Sequence, residues 1–200
     1  MDVLTRSPHQ RPNLGRAAAM GSLRLLAAAG LLFRAGTALA ANAPTLEYPI
    51  KATFIEKFGD FVSWPADMPL DAPFTICIFG EDPFGPVMDQ TLRGQVLGGH
   101  PITLLRVNEP AATACRILYL GKSAQTATVL ATLAGRPVLT VTDGVDWNGP
   151  PLGIVHFVLK DNRVKFIIDD AAAAANHLVI SSKLLAVAVS VNPRPKVMAP

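Results

Sequence analysis

Phe74-Thr75-Ile76-Cys77-Ile78-Phe79, closed by Gly80, is an apolar run of the length and composition of a strand buried on both faces. A strand without a wet side needs a layer above and a layer below it, so this segment places the chain among helix-covered sheets. Ile102 to Val107, Ile117 to Leu120 and Val138 to Val141 repeat the pattern downstream. Asp82-Pro83 reads as the start of a short helix ending near Gly94, with Asp as cap and Pro in the first turn. Ser123 to Leu133 reads as a second, capped by Ser123 and closed by Gly135. Apolar strands alternating with helices predict an α/β fold, a mostly parallel sheet with helices on both faces.

Further out, Ile154 to Leu159 and Val164 to Ile168 are joined by Lys160-Asp161-Asn162-Arg163, a linker with hairpin chemistry. The sheet is therefore expected to end in an antiparallel hairpin followed by C-terminal helices. Asp169-Asp170 caps an alanine-rich helix ending at Asn176-His177, and Ser181 or Ser182 begins a last helix to about Val191. On the amino-terminal side, Leu46, Ile50, Phe54, Phe58, Phe61 and Val62 recur at spacings of mostly three and four, one apolar stripe of a helix stopped by Trp64-Pro65. Glu47, Lys51, Lys57 and Asp60 fall off that stripe.

The ends of the chain differ in kind from this middle. From Met20 the sequence runs through Arg24 and the apolar stretch Leu25 to Phe33 to Ala38-Leu39-Ala40, the order of an export signal with a small-residue cleavage site. Residues 1–40 are read as that signal, with the true start at Met20, residues 41–191 as one domain, and 192–200 as a disordered tail. The apolar stretch is too short to span a bilayer, which takes about 20 residues. The product is thus not membrane-spanning after cleavage. The chain holds 18 basic and 15 acidic residues, but five of the former (Arg6, Arg11, Arg16, Arg24, Arg34) and Asp2 belong to the leader. The remainder has 13 against 14, a net charge of −1, so the basic balance gives no nucleic-acid footprint.

Most of the chemistry sought along the chain is missing. Gly121-Lys122-Ser123 follows a strand, yet a phosphate loop needs a glycine five positions before its last one, where Arg116 stands. His100, His156 and His177 are scattered without metal-ligand spacing, so no metal and no cofactor is expected. Ser181-Ser182 reads as a cap, and the carboxylate pairs Glu81-Asp82 and Asp169-Asp170 sit where a helix dipole favours them. The loop 143–149 is the one ligand candidate: Asp143, Asp146 and Trp147 follow a strand end, where open α/β sheets bind ligands. Cys77 and Cys115 are the only cysteines. In an oxidising compartment they close a single bridge, and the alternative is two buried thiols packed as small apolar groups. Closing that loop is worth about 4 kcal/mol as an upper value in the chain-entropy picture.

Seven pieces in order then carry a resemblance: 50–54 (Ile-Lys-Ala-Thr-Phe) with Phe58, Phe61 and Trp64-Pro65; 76–85; 115–120; 139–143; 153–157; 164–169; and 180–185. Together they resemble the YfiR family of exported bacterial proteins over nearly all of 47–190. The resemblance implies a periplasmic α/β protein without enzymatic activity, a repressor that binds the periplasmic sensor domain of an inner-membrane diguanylate cyclase. It would thereby control cyclic di-GMP and biofilm formation. It also implies a redox-dependent role for Cys77 and Cys115. The chain departs from the family in lacking a second cysteine pair near 149–156, and in having Phe166-Ile167-Ile168-Asp169 where Phe-Glu-Ile-Asn is frequent. The expected contact surface is Val155 and Ile167 on the hairpin with Leu178 beyond it. A homodimer stays open. The competing reading is a small-ligand-binding protein or hydrolase using 143–149.

Overall fold

The computed structural model describes residues 46–65, 72–109, 114–123, 125–144 and 153–195. The expected leader, Asp146, Trp147 and the last five residues lie outside them. The apolar run Phe74–Phe79 is strand β2, and all six of its residues are buried. Helix α1 (Glu47–Phe61) and the two-residue strand β1 (Val62–Ser63) precede it. After β2 come α2 (Pro86–Leu92), β3 (Val96–Leu97), β4 (His100–Val107), β5 (Ile117–Leu120), α3 (Thr126–Thr132) and β6 (Leu139–Asp143). The chain then forms β7 (Val155–Lys160), β8 (Arg163–Asp169), α4 (Asp170–Ala175), β9 (Val179–Ile180), α5 (Ser182–Val187) and β10 (Ser190–Asn192).

Eight of these strands make one sheet in the order β10-β8-β7-β6-β5-β2-β4-β3. The pairs from β4 through β2, β5 and β6 to β7 are parallel, and β7 with β8 is the antiparallel hairpin. Its turn, Asp161-Asn162, has φ of 52° and 55°, the left-handed pair that matches strand twist in a two-residue connection. β1 and β9 form a separate antiparallel pair.

Alternation along the strands divides the interior in two. Ile76 and Ile78 of β2, Ile117 and Tyr119 of β5 and Val155 and Phe157 of β7 face α1, α2 and α4. Phe54 and Phe58 of α1 meet Phe157 and Phe166 there at ring separations of 5.3 to 6.2 Å. On the other face Cys77, Phe79, Leu118 and Leu120 pack with Val129 and Leu133 of the α3 segment. Helices thus cover both faces, as expected. Cys77 and Cys115 are bridged, with a Cα separation of 5.8 Å. Cys115 lies two residues before β5.

Several boundaries move for local reasons. α2 starts at Pro86, because Asp82 folds back on the amides of Phe84 and Gly85 instead of capping a helix. Ser123 similarly accepts from the Gln125 amide in a turn, and α3 starts only at Thr126. Asp169 and Ser181 cap α4 and α5 as expected, through the amides of Ala172 and Lys183. The last helix stops at Val187, and Ser190–Asn192 instead pairs in parallel with Ile167–Asp169. The expected tail is therefore partly ordered: Asn192 is strand, and Arg194 binds Asp170 through two nitrogens at 2.6 and 2.7 Å.

Candidate functional site

The α1 stripe rotates away from its expected position. Leu46 and Ile50 are 71 % and 42 % exposed, whereas Lys51, placed off the stripe by its charge, is 1 % exposed. A cation held that far from water needs partners, since isolated burial costs many kcal/mol. Its Nζ lies 2.6 and 2.8 Å from the two carboxylate oxygens of Asp143 at the end of β6, and it also pairs with Glu47 one turn back. The rings of Tyr48 and Phe157 stand 5.2 and 5.8 Å from the same nitrogen. The Tyr119 hydroxyl donates to Asp143 at 3.2 Å. Burial, then the negative charge of Asp143, pushes the Tyr119 pKa well upward, and burial raises Tyr48 against the opposing pull of Lys51. Both phenols stay protonated at neutral pH.

Next to this cluster, His156 is 1 % exposed and its Nδ1 lies 2.7 Å from the Thr142 hydroxyl. Burial lowers its pKa, with Asp143 pulling the other way and Lys51 adding to the drop. The loop after β2 is tied down from β4: Arg106 reaches Asp82 at 2.7 Å and Asp89 at 2.7 and 3.2 Å. The Gly121 amide donates to the Phe79 carbonyl at 2.8 Å, so this glycine closes the strand ends and has no amide left for an anion. Asp82, Asp169 and Asp170 are likewise engaged in turns, a cap and an ion pair.

Of the residues selected from sequence, Cys77 and Cys115 meet in the bridge and Asp143 joins the Lys51 cluster. Val155 and Leu178 are 0 % and 1 % exposed, so both are core and cannot form a docking surface in this conformation. Alternation alone does not distinguish an interface residue from an interior one. Ile167 is half-buried, on the face of β8 shared with Lys165. Lys51, Tyr119 and Tyr48 were not anticipated. The i, i+4 spacing of Glu47 and Lys51 was a visible signal, but nothing marks an aspartate 92 residues away as the partner. Among the described residues no group of three or more His, Cys, Asp or Glu is placed to hold a metal ion. Nor is any helix among them long and apolar enough to cross a membrane.

A parallel sheet capped by an antiparallel hairpin, with a lysine of the first helix held at the end of β6, frames the comparison with known proteins. The family model described as YfiR/HmsC-like (DUF4154) matches residues 48–189. The chain belongs to the YfiR/HmsC-like family. That match contains every described helix and strand except the first residue of α1 and the edge strand β10. YfiR/HmsC-like proteins are periplasmic and regulatory rather than catalytic. A search of the curated proteins finds no match.

Proposed function

We propose that this chain is a periplasmic repressor that binds the periplasmic sensor domain of an inner-membrane diguanylate cyclase and holds the enzyme inactive, limiting cyclic di-GMP and biofilm formation. The observation that carries the reading is the family match across 48–189. Of the carboxylates at strand and helix ends, Asp82, Asp143, Asp169 and Asp170 are held in a turn, a cap and ion pairs, which agrees with a binding role. Repression then works by population shift: the protein favours one state of the sensor domain by binding that state more tightly. Cys77 and Cys115 are 0 % and 4 % exposed. Such burial favours a bridge closed once after export over one that cycles with binding, because exchange needs access for an attacking thiolate.

With Val155 and Leu178 in the core, the hairpin surface available to a partner centres on Ile167, which lies beside Ser190 of the edge strand. Ile167→Glu is expected to weaken retention of the cyclase's periplasmic domain about tenfold or more, since it puts a charge into an apolar contact. The melting temperature should stay nearly unchanged. Retention by immobilised protein and a thermal melt check this together, with wild-type chain as reference. Unchanged retention by a folded variant removes Ile167 from the interface. Failure of the wild-type chain to retain any cyclase from detergent-solubilised membranes, with cyclic di-GMP unaltered on its deletion, overturns the repressor reading.

A further inference from the structure

The sheet changes direction at β2. From it the chain crosses to β4 on one side, whereas β5 and β6 lie on the other. Loops that leave the carboxyl ends of neighbouring strands in opposite directions open a crevice, and open α/β sheets bind ligands there. In this molecule the crevice is a cavity of about 520 Å³ outside β2, β5 and β6. That volume lies within the roughly 300–1,000 Å³ of small-molecule sites. Its walls include Tyr48, Lys51, Glu81, Tyr119, Lys122 and Asp143.

The charges of this wall are unequal. Glu47, Glu81 and Asp143 contribute three carboxylates, and Lys51 and Lys122 two ammonium groups. The inner cation is committed, because Lys51 is shared between Glu47 and Asp143. Among the described residues the wall sums to one negative charge, with the half-buried ring of Tyr48 beside it and Tyr119 buried behind. Glu81 stands at the mouth on a fixed backbone: a Cβ at Gly121 would collide with the Glu81 carbonyl oxygen, so the β2 and β5 ends meet more closely than any other residue allows. An anion would meet one cation, Lys122, among three carboxylates, with no help from the backbone, since the Gly121 amide is bonded to Phe79 and α3 begins only at Thr126.

We infer that this cavity binds a small organic ammonium ion, seated against the Tyr48 ring with its charge toward Glu81. Aromatic faces beside carboxylates form the standard receptor for such cations, because ring quadrupole and negative charge act in the same direction. The inference does not rest on the repressor reading. A cyclase partner found or lost leaves it untouched.

Choline titrated calorimetrically into the exported, bridged chain tests it, with the uncharged isostere 3,3-dimethylbutanol as control. Choline is expected to bind about tenfold more tightly than the isostere, the size of a partly desolvated cation–π and carboxylate contact. Glu81→Gln should weaken choline about threefold and Lys122→Met should tighten it by a similar factor, as rim charges do. Both side chains are exposed, so the fold is kept, and circular dichroism verifies this. Absence of choline binding to the wild-type chain, equal affinity for the isostere, or the reverse order of the two variants overturns the inference.

Discussion

The two faces of the sheet are stabilised by different means. The face under α1 is thick and aromatic, with Phe54, Phe58, Phe157 and Phe166 in mutual contact, and it also holds the ion cluster of Lys51. The face under α3 is thin: its apolar cluster has eight buried members among the described residues, two of them the bridged cysteines. Where apolar area is scarce, a covalent tie between the β2 and β5 segments supplies what packing does not. Where it is plentiful, the fold tolerates a buried cation at the sheet's end.

Breaking this contrast should be most visible at Phe58. Phe58→Ala is expected to cost about 4 kcal/mol, since it empties the centre of an aromatic cluster at 1 % exposure. Chemical denaturation of the oxidised protein measures it, and a cost below that of the bridge would show the aromatic face to be the weaker one. Next is the Cys77→Ala/Cys115→Ala pair, expected to cost about 3 kcal/mol, somewhat under the loop-closure value for a separation of 38 residues. An unchanged midpoint would mean that the thin face holds by packing alone.

Lys51→Met ranks third, at about 2 kcal/mol, because it strands Asp143 and Glu47 beside apolar rings. The value is reduced from that of a fully buried pair because the two carboxylates keep 14 % and 21 % exposure. Asp143→Asn in the same background should recover part of the loss, and a double-mutant cycle reads the coupling directly. The smallest effect is one of pH. The His156 pKa is depressed in the folded chain below its ordinary 6.5, so the unfolded chain binds more protons just under that pH. Its contribution to stability is therefore complete above pH 6.5 and falls as the solution is acidified through and below it. His156→Gln should flatten that limb in a series of melts from pH 7.5 to about 5.

Sequence reading reached the fold because the strands announce themselves. β2, β4, β5, β6 and the β7–β8 hairpin are apolar runs punctuated by Gly, Asp and Asn, a signal that neither depends on partners nor changes on folding. The edge pieces β1, β3, β9 and β10 escaped it, since two or three residues carry no period and pair only because tertiary structure brings them together. At the site, Asp143 was visible as a strand-end carboxylate, yet its meaning was not. Lys51 reads as a surface residue in any local window, and only the packing of α1 across β6 and β7 makes it interior. Val155 and Leu178 failed in the opposite sense: they are apolar enough for an interface and are used as interior.

Ser190–Asn192 has a bearing on how the carboxyl end can be handled. These three residues are the outermost backbone on the hairpin side, and they cover Ile167–Asp169 of β8. A stop codon or protease cut before Ser190 would bare a row of unpaired amides and carbonyls there, an open template onto which neighbouring molecules can stitch themselves. Three residues of strand thus separate a discrete particle from a seed for clumping.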